Sequence, residues 1–214
     1  PSVTRDESPL AAAVGAALGS AVAASARVHG GDVAAAYRMD LADGRRVFAK
    51  THHAPPTGFF TTEANGLSWL REPDALPVPE VLAVSDADPA FLALEWIDTG
   101  ARTATTEAEL GRDLATLHRA APATFGREDR RTTGSRGLPN EPCDTWAEFY
   151  ATQRLAPLAR LARDGGALPT SAIVALERLD ADRLRAIGGP AEPPARLHGD
   201  LWAGISVVDR DGTL

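Results

Sequence analysis

The stretch RLHGDLWAGISVVDRDGTL, residues 196–214, carries an aspartate, Asp200, two positions after His198 with Gly199 between them. It follows a proline-rich loop, and that loop follows a helix-patterned segment. A loop carboxylate in this setting can accept the proton of an attacking hydroxyl, or orient that hydroxyl. His198 reads as structural, packing and hydrogen-bonding to hold the loop in shape. Asp209 and Asp211, ahead of Gly212 in DRDG, read as ordinary turn residues. A His-x-Asp triplet arises easily by chance, so its meaning depends on what precedes it.

Working back from this stretch, the chain is patterned for helices. Thr106 and Glu109 predict a capping box, and Leu110, Leu114 and Leu117 an apolar helix face. Residues 122–143 read as a long loop. A helix is expected from Asp144 to the Gly165-Gly166 stop, kinked at Pro157. One more is expected over residues 170–187, capped by Thr170 or Ser171 and stopped at Gly188-Gly189.

The first part of the chain is patterned differently. Ser8 and Pro9 predict the start of a helix over residues 8–19. Three strands are expected between Ala21 and Lys50, with turns at Gly30-Gly31 and Asp43-Gly44. In the second of them Tyr37, Met39 and Leu41 alternate with Arg38 and Asp40. HHAPPTGFF (52–60) reads as a loop and TTEANGLSWLRE (61–72) as a helix, closed by Pro73, Pro77 and Pro79. EVLAVSD (80–86) and AFLALEWID (90–98) read as two further strands. The expectation is an α+β chain, with a small antiparallel sheet and one inserted helix over residues 1–97 and a mostly helical lobe over 98–214.

Composition excludes several classes. A formal net charge of −7 over 214 residues argues against a nucleic-acid partner. Cys143 is the single cysteine, so no internal disulfide forms, which fits a reducing, cytoplasmic setting. No apolar run is long enough to span a bilayer. The start of the chain, small and partly apolar without a basic flank, reads as an amphipathic helix rather than a signal peptide. Nothing in the sequence speaks to the oligomeric state.

Three further places carry chemistry. Lys50 is expected at the end of the third strand, and Glu63 lies on the first turn of the following helix. A lysine so placed, paired with such a glutamate, is the arrangement that holds ATP phosphates in protein kinases. The bland reading is a solvated lysine. Gly30 and Gly31 are either a plain turn or a place where backbone amides approach phosphate oxygens. Glu95, Trp96 and Ile97 end an apolar strand where sheet gives way to helix. Their backbone is either an adenine-contacting hinge or the end of a core strand.

With these in order along the chain, HGDLWAG (198–204), GGDVAAAYRMDLADGRRVFAKT (30–51) and EANGLSWLR (63–71) resemble the fructosamine kinase, or ketosamine-3-kinase, family. That family lies within the protein-kinase-like superfamily, and the resemblance runs across nearly the whole chain. It implies a two-lobed protein-kinase-like fold. It implies ATP and Mg²⁺ as cofactors and phosphorylation of the C3 hydroxyl of a small-molecule or protein-bound ketosamine. By the same resemblance Lys50 binds phosphate, Glu63 positions it, Glu95–Ile97 contact adenine, Asp200 is the catalytic base and Trp202 lines the sugar site. The family motif places a metal-binding Asn where this chain has Ile205. It continues to an Ile-Asp-Pro segment, whose Asp is the main metal ligand, and that segment is expected beyond Leu214. No metal ligand is therefore assigned within the 214 residues. Two alternatives stay open: another small-molecule kinase of the aminoglycoside or choline kinase type, disfavoured by Trp202, and a non-catalytic nucleotide-binding pseudokinase.

Overall fold

A computed structural model describes residues 8–28, 34–129, 132–133, 136–188, 191–201 and 206–212. The expected turn at Gly30-Gly31, and the calls on Trp202 and Ile205, lie outside the described residues.

The sheet follows from period-two patterning. Strands β1 (Val22–Val28), β2 (Ala35–Leu41), β3 (Arg46–Thr51), β4 (Val81–Ser85) and β5 (Phe91–Glu95) form one antiparallel sheet in the order β1-β2-β3-β5-β4. Strand β3 is therefore central. Ala42–Arg45 make the tight β2–β3 connection, with Gly44 in the left-handed region at φ 89°. There a side chain would strain the backbone.

Two helices cover the sheet. α1 (Pro9–Leu18) starts at Ser8, whose hydroxyl accepts from the Ala11 N–H, with Pro9 in the first turn. Its Ala11 and Val14 pack with Met39, Val47, Ala49, Phe91 and Ala93. α2 (Phe59–Arg71) supplies Phe60 and Ala64 to a separate cluster with Leu92, Leu94 and Phe48. Alternate residues of β3 thus serve different cores, Val47 and Ala49 with α1, Phe48 with α2. α2 begins at Phe59, not at the threonines, because Asp86 accepts hydrogen bonds from the Phe60 amide and the Thr61 hydroxyl. The end of α2 packs through Leu70 against Leu117 of α3 (Ala104–Arg119).

α3 is capped one turn earlier than the sequence predicts. The Thr103 hydroxyl accepts from the Thr106 N–H, and the Thr106 hydroxyl from the Thr103 N–H. Thr106 takes the place in the box that a Glu usually fills, and so lies inside the helix rather than at its cap.

By contact density residues 1–118 and 197–214 group as one compact unit and residues 119–196 as another. The second unit departs from the sequence reading in three places. The helix expected after Asp144 begins at Trp146, capped by the Thr145 hydroxyl. It runs as α4 (Trp146–Tyr150), one π-helical turn (Ala151–Leu155) and α5 (Ala156–Asp164). Pro157 has no N–H for the Gln153 carbonyl, and its ring crowds that carbonyl. The ladder widens in the turn before the proline. The single helix expected over 170–187 is two, α6 (Thr170–Glu177) and α7 (Ala181–Ile187), because Asp180 caps the Arg183 N–H. α6 is entered from Pro169 with no side-chain cap, so neither Thr170 nor Ser171 fills that role. The loop at 122–143 contains a small hairpin, β6 (Thr132–Thr133) with β7 (Arg136–Gly137).

Candidate functional site

Lys50 sits opposite Ala36 on β2 and Leu92 on β5. Strand alternation puts it on the same face as Phe48, the face that α2 covers. Glu63 opens the second turn of α2 rather than lying on its first, because the helix starts at Phe59, and it meets Lys50 there. The Lys50 ammonium donates to Glu63 Oε1 at 2.7 Å and to Oε2 at 3.0 Å. Their side chains keep 27% and 32% of their accessible surface, so the pair is braced by protein yet open to a solute. A partly exposed pair contributes only about 0.2–1 kcal/mol to stability; its value lies in fixing where the positive charge points.

Sequence reasoning missed one signal here. Lys50 is the only lysine in the chain, against 21 arginines. A chain that otherwise uses arginine for positive charge keeps a compact ammonium at this one position. The two groups are not equivalent, since an ammonium is a point charge and a guanidinium a wide planar fork.

Glu95 ends β5 with its backbone N–H donated to the Glu80 carbonyl at 3.0 Å, while its carboxylate accepts from the Glu80 N–H at 2.8 Å. The Glu95 amide is thereby engaged within the protein. Trp96 turns its indole N–H to Asp98 Oδ1 at 2.9 Å. Arg46, on β3, grips the same carboxylate with two bonds at 2.8 and 2.7 Å. Arg210 approaches it at 3.7 Å. The hydrogen bonds from Arg46 chiefly, then the one from Trp96, hold the Asp98 carboxyl below the usual carboxylate range. Asp98, not singled out by sequence, therefore ties the end of the Glu95–Ile97 segment to the strand that carries Lys50.

Asp200 is exposed, and its N–H donates to His198 Nδ1 at 3.3 Å, with Gly199 left-handed at φ 87° between them. Past the loop, the Gly100 N–H donates to the Val208 carbonyl at 2.6 Å and Thr99 bridges Asp209. Arg102 donates to Ser206. Asp209 Oδ1 accepts from the Asp211 N–H at 2.9 Å, closing the turn before Gly212.

Lys50, Glu63, Glu95–Ile97 and Asp200 all fall in one compact unit. A cavity of about 440 Å³ at the ends of β2 and β3 is lined by Ala35, Thr51, His52, His53, Asp88 and Pro89, and by none of these site residues. Lys50 suits an anionic phosphate. Among the described residues no three His, Cys, Asp or Glu side chains stand together as a cation site. Among the described residues no helix is long and apolar enough to cross a membrane.

Comparison with known proteins gives a consistent answer. The chain is 34% identical over 173 residues to a Synechocystis sp. protein named "Probable ketoamine kinase slr1563", covering 78% of this chain and 57% of that one. Across other curated relatives it spans between 52% and 65% of their length. The crystal structure of a Thermobifida fusca YX-ER1 protein assigned as a fructosamine-3-kinase superposes with a TM-score of 0.81 at 36% identity, over 96% of this chain and 71% of that one. A type I macrolide 2'-phosphotransferase, at 16% identity and a TM-score of 0.54 over 100% of this chain and 70% of its own, shares the protein-kinase-like fold. The fructosamine kinase family description matches residues 9–214. The chain belongs to the fructosamine kinase family.

Proposed function

We propose that the protein is an ATP-dependent kinase that phosphorylates the C3 hydroxyl of a ketosamine. The observation that carries this reading is the Lys50 ammonium held by both oxygens of Glu63 on the α2 face of the sheet. The family membership and the name of the Synechocystis relative support it.

In this reading Lys50 contacts the nucleotide phosphates and Glu63 fixes its direction. Backbone at Gly30 and Gly31 approaches the phosphates, and the segment Glu95–Ile97 meets adenine. Asp200 takes the proton of the C3 hydroxyl as its oxygen bonds to the γ-phosphorus and the bond from that phosphorus to ADP breaks. Trp202 offers an indole face to the sugar, and His198 keeps the loop in shape. Mg²⁺ would supply charge neutralisation on the phosphates, and no described residue is assigned to hold it. Residues 1–97 serve as the nucleotide lobe and 98–214 as the acceptor lobe. The product is an adduct prone to spontaneous elimination, so the outcome is deglycation of a small molecule or a protein side chain. The single cysteine supports a cytoplasmic setting.

The test is a phosphotransfer assay on the full gene product with ATP, Mg²⁺ and a fructosyl-amine, beside an aminoglycoside and choline as rival acceptors. Transfer to the fructosyl-amine alone is expected, and Asp200→Asn should lower it about 10²-fold or more, the scale of general-base loss. Transfer to a rival acceptor only, or undiminished turnover by Asp200→Asn, defeats the reading.

A further inference from the structure

α2 has no cap of its own. Gly58, the residue before Phe59, is left-handed at φ 72° and brings no side-chain acceptor. The first N–H groups of any helix lack intrahelical partners and need one from elsewhere. Here it comes from Asp86, just past the end of β4. Asp86 Oδ1 accepts from the Phe60 N–H at 2.9 Å and Oδ2 from the Thr61 hydroxyl at 2.5 Å. The negative charge also lies where the helix dipole favours it.

This cap joins two elements that must agree on one geometry. Asp86 leads into β5, whose Leu92 pairs with Lys50 itself. Glu63 lies two residues past Thr61 on the helix that Asp86 starts. A helix moves as a rod over so short a distance, so a shift at Thr61 is a shift at Glu63. A charged hydrogen bond of 2.7 Å tolerates little of it. The competing anchor is apolar: Phe60 is fully buried, and Ala64 packs beside it. That packing resists separation of helix and sheet. It resists sliding along the axis less well, because it is not directional.

We propose that Asp86 is a positioning residue, which sets the start of α2 and through it the placement of Glu63 against Lys50. Its consequence for phosphoryl transfer rests on the reading of Lys50 as the phosphate contact; the positioning itself does not.

Lys50 being the only lysine, its amine can be followed alone. An amine bonded to a carboxylate through its protons is shielded from acylation. The experiment measures the rate of Lys50 acetylation by acetic anhydride, read by peptide mass spectrometry without nucleotide. Parent, Asp86→Ala, Asp86→Asn, Glu63→Gln and the double variant Asp86→Ala/Glu63→Gln are compared. Asp86→Ala is expected to raise the rate about fivefold, the usual scale of a lost helix N-cap. Asp86→Asn keeps one acceptor oxygen and should stay within about twofold of the parent. On the Glu63→Gln background Asp86→Ala should add almost nothing, since the two act through one contact. An Asp86→Ala rate within about twofold of the parent would overturn the proposal. So would a full additive effect on the Glu63→Gln background. A separate arm adds ATP to the parent: failure to slow acetylation sinks the nucleotide reading, while the rates without nucleotide still judge Asp86.

Discussion

Gly100 and Asp209 meet backbone to backbone, so closely that a Cβ on Gly100 would stand 2.1 Å from the Asp209 carbonyl oxygen. The same seam holds the bond from the Gly100 N–H to Val208 and the bridge from Thr99 to Asp209. It anchors residues 208–209. Gly100→Ala must push the seam apart, losing one hydrogen bond and crowding what remains, at a cost of about 2 kcal/mol or more. A urea titration should show the midpoint falling with little change in slope. An unchanged midpoint would mean the seam opens freely and anchors nothing.

Gly111→Ala should do the reverse. Gly111 lies in the interior of α3, is exposed, and has nothing within 4 Å of the place its Cβ would take. Glycine there leaves the unfolded chain its full freedom, so alanine should stabilise by about 0.5–1 kcal/mol. The same urea titration reads the sign, and a loss of stability would show that α3 is strained at this turn.

Lys50→Arg and Lys50→Met should both weaken ATP binding by about tenfold, a factor worth about 1.4 kcal/mol. They should leave the thermal midpoint nearly unchanged, because the Lys50–Glu63 pair is partly exposed. The arginine variant keeps the charge but replaces a point donor by a wide fork. Calorimetric titration with ATP checks the first part and a melting curve the second. Full ATP affinity in the arginine variant would make charge alone the requirement.

The sheet half of this protein was legible and the helical half less so, for physical reasons. Tyr37, Met39 and Leu41 alternate cleanly with Arg38 and Asp40, and Asp43-Gly44 announces its turn. Period two is a strong local signal. The break at Asp180 is not announced, because no glycine or proline stands between Glu177 and Ala181. The capping aspartate lies inside an otherwise continuous helical pattern. The pairing of Lys50 with Glu63 was expected from the arrangement found in protein kinases, while the spacing alone left a solvated lysine equally open. Asp86 was not, because it caps Phe60 from 26 residues away, and tertiary capping leaves no trace in local sequence. Asp98 was hidden likewise, since its partner Arg46 is 52 residues distant.

Asp98→Asn should destabilise the protein near neutral pH and make no difference in acid. The Asp98 carboxyl is held low, chiefly by its bonds from Arg46. A carboxyl whose pKa is lower folded than unfolded adds stability above its unfolded value, and that addition disappears as pH falls through the folded value. Urea midpoints of parent and variant should therefore differ near neutrality and converge below the usual carboxylate range of about pH 4. A difference that persisted in acid would assign the loss to the uncharged bond with Trp96 instead of to ionisation.

The tight β2–β3 connection has one more consequence, which concerns insertions and deletions. Val47 and Ala49 pack toward α1, whereas Phe48 and Lys50 face α2. Odd and even positions of β3 have separate destinations, and the residue count of the turn decides which is which. Adding or removing a single residue between Leu41 and Arg46 would reverse the parity of the strand. It would drive an ammonium toward the apolar α1 core and leave Glu63 facing Ala49 after an insertion or Thr51 after a deletion. Adding two would restore the facing and merely slide the strand. Length variation in this hairpin should be tolerated in even steps and rejected in odd ones.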